Sequence, residues 1–279
     1  MIKTIMAHIP TERPIRPIID FSISLASTCK ASIDAIAIGY ISTSTYVING
    51  SSGAAMAAVF EIEQEKANER AVAALTVFET EARHASVSYQ CRPIVDLPGE
   101  AAASIGAASR LHDLSVVLQT EAGKHTFDDP ISTAILFQSG GPVLFVPYIF
   151  RGVFKPRRIG VCWDGSRSAA RALRDAGPLL MQADTLSVIS VNPDRWAPSD
   201  PSPEQVVKYL TRYDHPVRCI RSEEARSNIQ PSILSRATDE NLDMLIMGAY
   251  GHSRLQEHVL GGVTREMLET MTIPTLMSH

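Results

Sequence analysis

The glycines between Leu242 and Met277 are the residues whose type and spacing point most directly to chemistry. Gly248 closes the apolar run Met244 to Met247, Gly251 follows three residues later, and nine residues separate Gly251 from the pair Gly261-Gly262. Without a Cβ, glycines let backbone N–H groups approach an anion, and a helix N-terminus adds unpaired donors and the positive end of a dipole. Val263, Met267, Leu268 and Met271 recur at helical spacing after the pair, which predicts a helix over 261–271 and puts the Thr264 hydroxyl in its first turn. A strand, a glycine loop and a helix in that order suit a phosphate; tight-turn geometry is the plainer use of the same glycines.

Other chemistries leave little trace. Gly123-Lys124-His125-Thr126 lacks the upstream glycine of a P-loop and puts His where Ser or Thr must follow Lys. No nucleophile with a base, no carboxylate pair and no metal-ligand spacing gathers at strand ends. His252 and Arg254 follow Gly251, where they would meet terminal phosphates or simply be solvated; His252 is the one candidate base for a slow ATPase or phosphotransferase. His8 and His125 read as structural.

The elements that must hold this loop recur twice. Arg158 to Ser166 repeats the outline of Lys3 to Thr11, LHDLSVVLQ from Leu111 parallels NLDMLIMGA from Asn241, and GGPVLFVP from Gly140 parallels TIPTLMSH from Thr272. A repeat this long indicates two tandem domains, 1–150 and 153–279, with the linker at Pro147–Pro156. The second half predicts strands at 158–163, 185–191, 216–221, 243–247 and 274–277. Its helices are expected at about 166–181, 203–213, 228–241 and 261–271. The first half carries helical stretches near 53–83 and 98–110. Continuous apolar strands such as IGVCW imply sheets covered on both faces, so the fold class is α/β, two doubly wound parallel-sheet, Rossmann-like domains. Ligands in such sheets sit outside the strand carboxyl ends where strand order reverses, and Asp164, Val191 and Gly248 all lie at those ends.

The glycine segment resembles the universal stress protein family, whose ATP-binding members carry G-x2-G-x9-G followed by Ser or Thr. Gly262 stands where the family usually has that hydroxyl, while Thr264 matches the Thr of the G-S-V-T variant. The resemblance implies an adenine nucleotide alpha hydrolase-like fold and ATP or a related adenine nucleotide, with Mg²⁺, as ligand. It puts Asp164 on the ribose or adenine edge, Val191 against adenine and Met247 beside the sugar. Gly248, Gly251, Gly261, Gly262, Val263 and Thr264 would surround the phosphates. Asp164 in Asp-Gly-Ser is equally good turn and helix-cap chemistry, and Trp163 either stacks on the base or fills its place.

The first half has Ile9 at the position corresponding to Asp164 and no glycine counterparts after Val117, while Glu121, Asp128 and Asp129 bring negative charge. It is expected not to bind nucleotide and to serve as a structural partner, with Val143–Val146 facing Thr275–Met277 as an intrachain pseudo-dimer, as paired subunits do in the family. The function expected is stress-response regulation without dedicated catalysis. The alternatives are a nucleotide-independent scaffold for an unidentified protein partner and a slow ATPase; a further homodimer is open.

Composition narrows the setting. Lys and Arg total 26 against 30 Asp and Glu, a net charge of −4 without a basic block, so a nucleic-acid footprint is missing. No run of 18 apolar residues exists, and MIKTIMAHIP meets proline too early for a signal peptide, which predicts a cytoplasmic protein without membrane contact. Four cysteines without CxxC or zinc spacing are expected to be buried free thiols.

Overall fold

A computed structural model describes residues 1–42, 53–195, 199–250 and 262–279. The first half runs β1 (Thr4–Ile9), α1 (Arg16–Cys29), β2 (Ser32–Tyr40), α2 (Gly53–His84), β3 (Tyr89–Asp96), α3 (Pro98–Ser109), β4 (Leu114–Leu118), α4 (Asp129–Gln138) and β5 (Val143–Val146). The second half runs β6 (Arg158–Cys162), α5 (Arg167–Asp175), α6 (Gly177–Leu180), β7 (Thr185–Val191), α7 (Pro203–Leu210), β8 (Val217–Ser222), α8 (Ile229–Asp239), β9 (Met244–Gly248), α9 (Val263–Thr270) and β10 (Thr275–Ser278). Among the described residues no helix is long and apolar enough to cross a membrane.

The strands form one ten-stranded sheet in the order β3-β2-β1-β4-β5-β10-β9-β6-β7-β8. Pairing is parallel within each half, and the two halves meet antiparallel where β5 pairs β10 through Thr275↔Phe145, Leu276↔Leu144 and Met277↔Val143. Leu144 lies beside Val116 at the middle of β4, and Leu276 beside Ile246 at the middle of β9. The two leucines are therefore equivalent positions paired with each other, and a pseudo-twofold axis passes between them. The pairing expected of 143–146 with 275–277 is present.

Alternation along the strands sends side chains to two cores, one on each sheet face, because successive Cβ atoms point to opposite sides. Ile5, Ala7 and Ile9 join Ile159, Val161 and Trp163 in one; Met6, Leu245 and Met247 lie in the other. Both contain residues of both halves, so the cores are continuous across the seam. The linker is anchored too: Phe150 and Phe154 pack on Phe21 at 5.2 and 4.3 Å, and the Phe154 N–H donates to Ser24 Oγ at 2.9 Å.

A repeated aspartate ties the strand starts. Asp113 Oδ2 accepts from the N–H groups of Lys3 and Thr4, and Asp243 Oδ2 accepts from those of Arg157 and Arg158. This register corrects the sequence alignment, since it makes Ile9 the counterpart of Trp163 and Pro10 that of Asp164. The helix expected over 166–181 is two helices, α5 and α6. Pro178 has no N–H to continue the ladder, so the break falls beside it. The cysteines are free, but not uniformly buried: Cys29, Cys91 and Cys162 are partly exposed and Cys219 is exposed, because β8 is an edge strand.

Two glycines separate close packing from open space. A Cβ on Gly39 would lie 1.9 Å from the Ala67 carbonyl oxygen of α2, whereas one on Gly99 in α3 meets nothing within 4 Å. Gly39→Ala should lower stability by about 2–3 kcal/mol through overpacking. Gly99→Ala should be neutral or stabilise by up to about 1 kcal/mol. Urea midpoints of the two variants check the contrast.

Candidate functional site

Strand order reverses between β6 and β9, and the second half brings most of the predicted residues to the carboxyl ends there. Met247 is buried, Val191 and Val263 are partly buried, and all three belong to one hydrophobic cluster that Cys162 also joins. Gly248, Gly262 and Thr264 follow on the β9 and α9 ends. Gly251, His252 and Gly261 lie outside the described residues, as does Arg254.

Asp164 is exposed, and its Oδ1 accepts from the Ser166 N–H at 2.9 Å. Ser166 Oγ in turn accepts from the Ala169 N–H at 3.1 Å, capping α5. The turn-and-cap role is thus filled, with the carboxylate held at the mouth of the strand ends. Trp163 does not reach the site. It is buried in the opposite core and its indole N–H donates to the Pro201 carbonyl at 2.8 Å, so it neither stacks on a base nor fills its place.

The first glycine has a packing reason of its own. A Cβ on Gly248 would lie 2.4 Å from the Ala169 nitrogen and 2.7 Å from Ser168 Oγ, so only glycine lets the start of α5 close on β9. Two residues on, Tyr250 adopts φ +49° and its N–H donates to Thr264 Oγ1 at 3.2 Å. The Thr264 hydroxyl therefore pins the start of α9 to the β9 loop. Gly262 occupies the N-cap with extended backbone, and among the described residues no side chain caps that helix end.

Cys162, Tyr250, Phe137 and His279 were not singled out in the sequence. Burial pushes the Cys162 thiol up to about 12, with the Asp164 charge adding to it, so it lines the site as a neutral thiol. Its position at a strand end was the available signal. The Phe137 ring of α4 packs 5.0 Å from Tyr250 and 4.6 Å from His279, contacts across the seam that no local pattern encodes. A cleft of about 860 Å³ lies beside them, lined by residues of both halves including Thr133, Phe137, Tyr250, Gly262 and Arg265.

The equivalent strand ends of the first half are filled by polar side chains. Tyr40 OH donates to Asp128 Oδ1 at 2.7 Å, the Glu12 N–H donates to Asp128 Oδ2, and His8 Nε2 sits 3.7 Å from Asp128. Arg13 pairs with Asp129 and donates to Thr126 Oγ1 and the Gln119 carbonyl. The negative charge expected from Asp128 and Asp129 is therefore engaged internally; side chains occupy the space. Of the two histidines read as structural, His8 is buried in this cluster but the His125 side chain is 96% exposed.

The universal stress protein family model matches residues 155–279. Universal stress protein Slr1230 of Synechocystis sp. (strain ATCC 27184 / PCC 6803 / Kazusa) is 29% identical over 141 residues, 48% of this chain and 46% of that protein. The match therefore spans about half the length of that curated relative. A universal stress protein from Archaeoglobus fulgidus DSM 4304 superposes with a TM-score of 0.72 at 16% identity over 98% of this chain and 95% of its own. A functionally unknown protein from Pseudomonas aeruginosa PAO1 gives 0.61 at 14% identity over 99% and 92%. These two likenesses are of fold.

The buried cluster sets a pH response. Burial lowers the His8 pKa below its ordinary value of 6.5, Asp128 opposes the shift and Arg13 adds to it. The unfolded chain takes up a proton that folded His8 resists, so this contribution to stability is complete above about pH 6.5 and declines as pH falls below it. Melting temperature should fall between about pH 7.5 and 5.5, and His8→Gln should flatten that dependence in thermal melts.

Proposed function

Because residues 155–279 belong to the universal stress protein family, we propose that the second half of this chain binds ATP or a related adenine nucleotide as a regulatory ligand, without dedicated catalysis. The observation that carries the reading is the meeting, at one switch point, of an apolar floor and the N-terminus of α9. Cys162, Val191, Met247 and Val263 offer that floor to a base and sugar. The α9 N-terminus beyond Gly262 offers backbone donors and a favourable dipole to phosphates. Asp164 at the mouth would accept from ribose hydroxyls. Among the described residues no group of three or more His, Cys, Asp or Glu is placed to hold a metal, so Mg²⁺ would ride on the phosphates.

In this reading the chain is two stress-protein units in tandem, 1–150 and 153–279, of which only the second takes nucleotide. The filled cluster of His8, Tyr40, Asp128 and Arg13 supports an inert first unit. The scaffold alternative draws on α2, whose Met56, Phe60 and Ile62 side chains are exposed large hydrophobics. An ATPase would need a base such as His252.

Isothermal titration of the full chain with ATP and Mg²⁺ tests the proposal. Saturable binding of about one nucleotide per chain is expected, weakened on the order of tenfold by Asp164→Ala. Gly262→Ser suits the extended N-cap backbone and restores a hydroxyl donor, so it should bind several-fold tighter. Wild-type protein that takes up no nucleotide would overturn the reading and leave the scaffold in its place.

A further inference from the structure

The end of α4, in the half whose own strand ends are filled, touches both walls of the second half's site. On one side Phe137 packs against the Tyr250 ring at 5.0 Å and, edge-on, against His279 at 4.6 Å. His279 Nδ1 lies 3.2 Å from the Ala249 carbonyl, and the Ala249 N–H donates to the Ser278 carbonyl at 2.9 Å. Tyr250 is the residue whose N–H reaches Thr264 Oγ1, so these rings bear on the link between the β9 loop and α9. On the other side Arg171 of α5 donates to the Gly140 carbonyl just past the end of α4. Arg171 also lies 3.6 Å from Asp175, which accepts from Ser278 Oγ at 2.8 Å. The helix closed on by Gly248 and the loop leaving Gly248 are thus held from one short segment of the first half.

The arrangement is not a by-product of the pseudo-twofold. Carrying the β4–β9 and α4–α9 registers across the axis pairs Phe137 with Glu269, Tyr250 with Thr120 and His279 with Pro147. Glu269 forms an i,i+4 ion pair with Arg265. Aromatic packing therefore runs one way, from the first half onto the second.

We propose that Phe137, seconded by Arg171, is a positioning residue through which the first half holds Ala249 and Tyr250, at the end of β9, in place for the second half's nucleotide site. The inference rests on the nucleotide reading for its functional consequence, and on the contacts alone for its structural one. A rigid loop entry keeps Tyr250 bonded to Thr264 and keeps α9 aimed at the strand ends, so losing the ring loosens the site without emptying either core.

The test uses Phe137→Ala and Phe137→Tyr in the full chain, with two readouts. Deuterium uptake is followed on peptides covering Met244–Tyr250 and, as an internal reference, β7. ATP affinity is measured by titration. For Phe137→Ala we expect faster exchange at Ala249 and Tyr250, unchanged exchange in β7, and affinity lower on the order of tenfold, with Phe137→Tyr restoring both. Wild-type affinity in Phe137→Ala, or faster exchange spread equally into β7, overturns the proposal. If the wild type takes up no ATP, the nucleotide reading fails. Exchange then decides the brace alone: faster at Ala249 and Tyr250 upholds it, and unchanged overturns it.

Discussion

The antiparallel pairing of β5 with β10 is the constraint on which the rest of the molecule depends. Each of these strands has only four residues, and each would otherwise be the open edge of a five-stranded parallel sheet. An edge row of unpaired N–H and C=O groups is a liability that a closed seam removes. Pairing Leu144 with Leu276 satisfies both edges together and makes the two cores continuous. It also fixes where each half's helices fall, which is how Phe137 of one half comes to lie against Tyr250 of the other.

Within that frame the halves have diverged at equivalent places. His8 stands where the second half has Cys162, by the register of β1 and β6. In the first half the space beyond that residue is taken by Tyr40 and Asp128, with Arg13 and Asp129 paired beside them. In the second half Cys162 stays apolar and Thr264 uses its hydroxyl to hold the Tyr250 N–H. A buried polar cluster is stable only when its members satisfy one another, so the first half gains a filled strand end at the cost of an open one. Among the described residues His8 Nε2 has no hydrogen-bond partner and lies 3.7 Å from Asp128, which makes it the unsatisfied member of that cluster.

What the sequence disclosed follows from which forces are local. Apolar runs and helix periodicity marked β6 to β10 and α7 to α9 to within a few residues, because burial on both faces of a parallel sheet leaves a plain pattern. The strand-end positions of Asp164, Val191 and Gly248 were legible for the same reason. Trp163 was not: whether a strand-end side chain faces one core or the other depends on pleat register, and a one-residue shift exchanges the faces. The same one-residue question displaced the match of Ile9, which the paired Asp113 and Asp243 contacts resolve.

The reason for a glycine was harder to read than its presence. Gly248 fits a loop that approaches phosphate, yet the Ala169 nitrogen 2.4 Å from its missing Cβ would require glycine with or without a ligand. Its identity alone therefore does not separate binding from packing. Gly262 differs, since its extended N-cap backbone is one that any residue adopts, so φ and ψ do not require glycine there, and Ser is a better N-cap residue. What distinguishes this strand end from the one across the axis is its lining: Cys162, Val191, Met247 and Val263 are apolar where the first half sets Tyr40 against Asp128.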